Sequence, residues 1–325
     1  MPKTKLKGAD MMITAEVNAR NKLKKRNSVW KDVLKYKHIY IILLPAILFY
    51  IIFHYAPMGG LAIAFQKFSL TKGILGSKWI GLENFKTFLK DVYFWRLLRN
   101  TLMLNFWGLI FGFPAPIIFA LLLNEIKRER FKKSVQTITY IPHFLSVVVV
   151  SSLVLTFVSS QGMINSIIRM FGGETVYFMS EPKYFYKIYV MSDIWQQLGW
   201  NSILYIAAIS GIDQELYEAA TIDGAGRWRQ LWHVTIPGIM GTIMIVLIMR
   251  MGRMLTIGYD KIILLYNPAI YEKADVISTY VYRRGLLDGD YSYSAAVGLF
   301  NSVFNFIFLM AANFFSKKAT GSGLW

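Results

Sequence analysis

Long apolar runs alternate with shorter polar segments along this chain. Six runs stand out, at about 38–56, 101–123, 138–159, 186–210, 238–258 and 295–315. A bilayer core of roughly 30 Å takes about 20 apolar residues as a helix, so each run predicts a membrane span. Asp193, Gln196, Gln197 and Asn201 interrupt the fourth, and Arg250 and Arg253 fall at the end of the fifth. Pro45, Pro114, Pro116 and Pro142 lie within these runs. Proline removes a backbone hydrogen bond and bends a helix, which membrane helices tolerate when neighbours satisfy the freed groups.

The polar stretch 211–237, between the fourth and fifth runs, has a finer pattern. Asp213 is a natural N-cap, and Glu215 and Glu218 suit an early helical turn. Ala219 and Ala220 favour helix and keep its surface slim. Gly224 and Gly226 allow a sharp turn. Trp228, Leu231 and Trp232 then recur at helical spacing, and Pro237 marks the start of the fifth span. The pattern predicts two short helices joined by a glycine turn, lying near the membrane surface. Segments 160–185 and 259–294 carry turn signals and read as loops. The 57–97 loop is dense in aromatic residues, as at a membrane–water boundary. Residues 27–37 mix Trp30, Val33, Leu34 and Tyr36 with lysines, which suits a short interfacial helix.

Composition agrees with lipid contact: of 325 residues, 55% are hydrophobic and only 17% charged, against about 25% charged in soluble domains. The net charge of +17 can mean nucleic-acid binding, but its placement among apolar spans gives it another meaning. Eleven Lys and Arg against three acids occupy positions 1–37, a second cluster covers Lys127, Arg128, Arg130, Lys132 and Lys133, and Lys317 and Lys318 follow the last span. Six spans put all three clusters on one side, which the positive-inside rule makes cytoplasmic. The 57–100 loop, with seven Lys or Arg, runs against that rule, at a length where the rule weakens. The organisation expected is therefore a basic cytoplasmic tail with an interfacial helix (1–37), a transmembrane domain (38–315) and a cytoplasmic C-terminal tail (316–325). The first apolar run reads as a retained anchor, because 37 residues far exceed a signal peptide's n-region.

Catalytic signatures are missing from the sequence. Gly-Lys never occurs, so there is no Walker phosphate loop. There are no cysteines, the four histidines have no metal-ligand spacing, and no G-x-S-x-G elbow is present. No catalytic, cofactor-binding or metal-binding residue is assigned. Polar groups inside spans are costly and tend to line cavities. Trp195, Gln196, Trp200, Asn201 and Tyr205 in the fourth run, beside Asp193 and Gln197, combine aromatic faces with amides, as a sugar would need. Asn105, Trp107, Arg253, Asn301 and Asn305 are the further pathway candidates.

Glu218-Ala219-Ala220-Thr221-Ile222-Asp223-Gly224, followed after nine residues by Val234-Thr235-Ile236-Pro237, resembles the EAA–G–I-x-LP signature of permease subunits of bacterial ATP-binding cassette (ABC) importers. Val234 and Ile236 are its mild departures. Gly59–Phe68 with Trp79–Leu82, Asn100–Leu102, Ala120–Glu125, Tyr140–Phe144 and Tyr293–Phe300 also look like carbohydrate permeases of the complex-saccharide branch, so the resemblance covers nearly the whole chain from about residue 35. It implies an all-α integral membrane fold, a six-helix type I importer bundle with cytoplasmic coupling helices. It further implies that Glu218, Ala219, Ala220, Asp223, Gly224, Val234, Ile236 and Pro237 couple the bundle to a separate ATPase, which binds ATP and magnesium. The implied partners are a second, related permease chain, an ATPase dimer, an extracytoplasmic solute-binding protein, membrane lipids and an oligosaccharide cargo, with no nucleic acid, and the implied location is the bacterial inner membrane. A membrane glycosyltransferase-like enzyme or an ion-coupled carrier is the alternative. The first lacks a convincing acidic or metal-ligating set, and the second lacks the inverted repeats such carriers favour.

Overall fold

The computed structural model describes residues 35–321, 323 and 324. All but the last three residues of the expected interfacial helix at 27–37 lie outside them. The chain divides into two compact units, the second starting at Ile63. The described part of the first is helix α1 (Lys37–Tyr50), continued by a π-turn at Ile51–Tyr55 and a helical turn at Ala56–Met58. None of these residues is buried, as suits apolar side chains that meet lipid or another subunit.

In the second unit a two-residue antiparallel ladder, β1 (Gln66–Lys67) with β2 (Lys78–Trp79), precedes α2 (Glu83–Lys90). A long helical run follows: α3 (Phe94–Trp107), a π-turn at Gly108–Gly112, and α4 (Pro114–Asn124). Next come α5 (Glu129–Tyr140), α6 (Val147–Val158), α7 (Met163–Met170) and the 26-residue α8 (Phe185–Ser210). The polar corner holds α9 (Gln214–Ile222) and α10 (Arg227–Gln230), which passes through a π-turn at Leu231–Thr235 into α11 (Ile236–Met251). The chain closes with α12 (Tyr259–Leu265), α13 (Ile277–Tyr282) and the 30-residue α14 (Tyr291–Thr320).

Among the described residues five helical runs are both long and apolar enough to cross a bilayer: Lys37–Phe65, Phe94–Asn124, Val147–Met170, Arg227–Met251 and Tyr291–Lys318. α8 qualifies by length alone, at about 39 Å, because its polar residues dilute its hydropathy.

Several boundaries differ from the sequence pattern. The run 138–159 is not one helix: α5 stops at Tyr140, a tight turn covers Ile141–Phe144, and α6 starts afresh at Val147. Pro142 has no N–H to continue α5, and Ser146 caps α6 by accepting from the Val149 N–H at 3.3 Å. The fifth span ends at Met251 rather than 258. There the Asn305 side chain accepts from the Leu255 N–H at 2.8 Å and donates to Thr256 Oγ1 at 2.7 Å, taking up backbone and side-chain groups that a continuing helix would use. α14 begins at 291 and runs past 315 to Thr320. The expected loops at 57–97 and 259–294 contain α2, α12, α13 and shorter helical turns.

Three π-turns precede a proline by the same interval: Ile51–Tyr55 before Pro57, Gly108–Gly112 before Pro114, and Leu231–Thr235 before Pro237. A proline ring crowds the carbonyl four residues back and donates no bond to it. Widening one turn to an i→i+5 pattern relieves the clash without breaking the helix.

At the α3 end of this unit, buried Asn100 donates to the carbonyls of Glu272 and Asp275 at 2.9 and 2.8 Å, and accepts from the Tyr186 hydroxyl at 2.8 Å. Thr101 Oγ1 accepts from the Ile277 N–H at 3.1 Å. The fully buried Asp275 carboxylate takes Arg283 Nη2 at 2.7 and 2.8 Å and Arg96 at 3.3 Å. Asp91, at the start of the same run, loses hydration, which favours its neutral form. Hydrogen bonds from Tyr280, from the Tyr93 N–H and from Tyr293, with Arg284 nearby, outweigh that and hold its carboxyl below the usual range. These contacts fasten α13 and the start of α14 to α2 and α3. The opposite end, where α4 finishes, carries the corner.

Candidate functional site

Two regions carry the polar chemistry of the second unit. The first is the corner at 211–237. Asp213 caps α9, its Oδ1 accepting from the Glu215 N–H at 3.0 Å. α9 stops at Gly224, which has φ +75°, a left-handed conformation that costs other L-residues about 1–2 kcal/mol. Around it the Ala225 N–H reaches Ala220 O at 2.8 Å and the Gly224 N–H reaches Thr221 O at 3.0 Å. That paired pattern is the Schellman termination. Gln230 Nε2 bridges back to Thr221 Oγ1 at 2.9 Å and to Ala225 O at 3.1 Å. The Tyr217 and Thr235 hydroxyls meet at 3.0 Å, locking α9 to the π-turn that leads into α11. Arg227 approaches Glu125, just past α4, at 4.0 Å, so the corner shares an end with the Lys127–Lys133 cluster.

The outer face of the corner is open. Glu218, Ala219 and Asp223 are exposed, and Ile222 is 87% and Trp228 75% exposed. Val234 and Ile236 are half-buried and Pro237 is exposed at the head of α11. An apolar Ile222 held in solvent by a rigid turn is unfavourable alone and suits a covered surface.

The second region lies half-way along the bundle. Asn105, Tyr189, Asp193, Arg250 and Thr256 line a cavity of about 180 Å³. It sits against the π-turn at Gly108–Gly112, the midpoint of the run Phe94–Asn124. Arg250 Nη2 donates to the Gly108 carbonyl at 2.7 Å. A Cβ on Gly108 or Gly112 would come within 3.2 Å of that guanidinium nitrogen, so the two glycines make the groove into which Arg250 fits. Behind Asp193 stands Lys261, its Nζ 3.7 Å from Asp193 Oδ1 and 5.1 Å from the Tyr189 ring centre. A narrow extension reaches Gln197 and Asn201.

The sequence-predicted pathway residues scatter. Asn105 lines the cavity and donates to Thr101 O at 3.1 Å. Asn201 borders the extension. Trp195 lines an apolar hollow with Leu153, Phe157 and Met191. Trp200 stacks on His143 at 4.3 Å, and His143 Nδ1 meets Gln197 Oε1 at 2.9 Å. Trp107 stacks on Phe111. Gln196 is buried, and Tyr205 is buried among Ala120, Ile209 and Ile239. Asn305 holds the break after α11. Asn301 is half-buried, its Oδ1 without a hydrogen-bond partner among the described residues. Arg253 is exposed and lies outside the cavity, whereas Arg250, three residues earlier, lines it. Lys261, Tyr189 and Thr256 were missed. Arg250 carried a signal, a charge inside an apolar run; the others sit in or beside segments with no such contrast.

Residues 112–321 match the family described as "Binding-protein-dependent transport system inner membrane component". The chain is 44% identical to Protein LplB of Bacillus subtilis, over 91% of this chain and 94% of that one. It is 42% identical to the polygalacturonan/rhamnogalacturonan transport system permease protein YteP of the same organism, over 94% and 95%. Among solved structures it superposes on a chain of a bacterial alginate ABC transporter in complex with an alginate pentasaccharide-bound periplasmic protein. The TM-score is 0.83 at 42% identity, covering 91% of this chain and 99% of that one.

Proposed function

The chain belongs to the binding-protein-dependent transport system inner membrane component family, and on that premise we propose how it works as a permease subunit of an ABC importer. Its cargo is an oligosaccharide released from a plant- or algal-type polysaccharide. The names of YteP and of the alginate transporter support that cargo, and the latter's periplasmic protein supports delivery by a solute-binding protein. A second, related permease chain completes the pathway, because one chain offers half the helices of a two-sided channel. An ATPase dimer binds ATP and magnesium and closes on them. The coupling face is Glu218, Ala219, Ala220, Asp223 and Gly224, with Val234, Ile236 and Pro237 passing its motion into α11.

One observation carries this reading: a corner fixed by a Schellman turn and four side-chain bonds nevertheless presents Glu218, Ala219 and Ile222 outward. A rigid element with a partly apolar free face transmits force to whatever covers it. α8 enters the corner and α11 leaves it, and both line the mid-bundle cavity, so tilting the corner alters the pathway directly. The Lys127–Lys133 cluster at the same end supports a cytoplasmic corner and, with the basic tails, cytoplasmic termini.

The chain has no cysteine, which gives a clean background for the test. Ala219→Cys should cross-link to the ATPase subunit in membranes and change its cross-linking yield with ATP. Leu75→Cys, in the loop before α2, should instead react with an impermeant maleimide added outside the cell. Labelling of position 219 from outside would sink the proposal.

A further inference from the structure

Resting on the importer reading, we infer that Lys261 and Arg250 form a carboxylate-reading point in the middle of the pathway, held by Asp193 until an acidic saccharide displaces it. Arg250 and Asp193 are the charged residues lining the cavity. Lys261 stands behind Asp193, so two cations face one anion, and the cluster is one negative charge short. Lys261 is only 6% exposed. Its Nζ has no hydrogen-bond partner among the described residues, and its 3.7 Å approach to Asp193 exceeds the ~2.7–2.9 Å of a charge-assisted hydrogen bond.

A buried ammonium with its donors unused is expensive. The Tyr189 ring beneath it offsets part of that cost through its electron-rich face. What the site lacks is an acceptor that comes closer than Asp193 does. Arg250 likewise spends Nη2 on Gly108 O and keeps further donors in a planar fork suited to carboxylates. The cavity holds about six waters at roughly 30 Å³ each, room for a carboxylated part of a sugar ring rather than an extended chain.

A uronate carboxylate entering there would take the Lys261 ammonium and the Arg250 fork, and Asp193 would turn away. No covalent bond changes. A neutral sugar offers no charge to replace Asp193, so it passes the point without drawing on either cation. Selectivity would then reside in this chain as well as in the delivery protein, and Asn105 and Thr256 would contact hydroxyls on either side.

The test uses the complete importer in proteoliposomes, with trigalacturonate and its fully methyl-esterified form as probes. Lys261→Met should lower trigalacturonate uptake about tenfold or more, while methyl-ester uptake stays within about twofold of wild type. Lys261→Arg should restore most of the trigalacturonate uptake, which separates charge recognition from packing. Equal loss of both probes in Lys261→Met would assign the lysine a structural role and overturn the proposal. So would unchanged uptake of both, with the importer reading intact. A wild-type complex that moves neither probe would overturn the importer reading and this site with it.

Discussion

The corner at 211–237 and the cavity around Arg250 are built by opposite means. The hydrogen bonds that shape the corner span fewer than 20 residues: Asp213 caps its own helix, Gly224 ends it, and Gln230 and Thr235 tie back to Thr221 and Tyr217. The cavity joins Gly108 to Arg250 across 142 positions, and Asp193 to Lys261 across 68. Local construction makes a stiff, replaceable lever. Long-range construction makes a cavity whose shape changes whenever the helices around it shift. That is a sensible division for a machine that must push at one end and open in the middle.

The most damaging way to break this arrangement is at the helix that serves both regions. α8 lines the cavity and runs into the corner, and at Gly199 its backbone touches α5: a Cβ there would lie 2.3 Å from Thr139 O and 2.6 Å from its carbonyl carbon. Both atoms are backbone, so neither can rotate aside. Gly199→Leu should cost about 3 kcal/mol or more through overpacking. The expected outcome is loss of monodisperse, detergent-extracted protein by size-exclusion chromatography, with Gly199→Ala intermediate.

Next in size is Arg250→Met. It strands the Gly108 carbonyl and removes a cation from beside Asp193, for about 1.5–3 kcal/mol. Uptake should fall at least tenfold, while cross-linking of Ala219→Cys to the ATPase stays near wild type. Loss of both together would mean that the two regions are not separable. Gly224→Val gives the converse. Nothing stands within 4 Å of a Cβ there, so its cost is the left-handed backbone alone, about 1–2 kcal/mol, confined to the corner. Cross-linking and ATP-driven uptake should drop, yet the detergent-solubilised chain should melt within a few degrees of wild type.

The same contrast explains what the sequence revealed. Asp213, Ala219, Ala220 and Gly224 each announce a local rule, and the corner could be drawn from them before any coordinates. Pro114 announced a bend and Pro237 the start of a span, though not that a π-turn would absorb each one. The cavity was hidden because its members obey no shared spacing. Tyr189 and Lys261 lie on different helices, and α12 is a seven-residue helix formed by docking against α6 rather than by propensity. Trp195 and Trp200 were attractive as sugar platforms, but helical rotation sets Trp195 off the Asp193 face, and Trp200, two turns along that face, stacks on His143 instead. A single sequence shows which residues are unusual, and only packing shows which of them meet.

The smallest expected effect is also the sharpest check on the claim that the corner builds itself. Arg227 and Glu125 are the ion pair linking the corner to α4, at 4.0 Å with side chains 68% and 50% exposed. Solvent screens such a pair, and its side chains lose rotamer freedom when they meet, so its worth is below about 0.5 kcal/mol. Arg227→Gln should therefore leave thermal stability, cross-linking at position 219 and uptake nearly unchanged, and raising the salt concentration should mimic it. If the substitution instead cost as much as Gly224→Val, the corner would depend on α4 for its geometry. Force would then reach the cavity through the run Phe94–Asn124 and its π-turn, not only through α8 and α11.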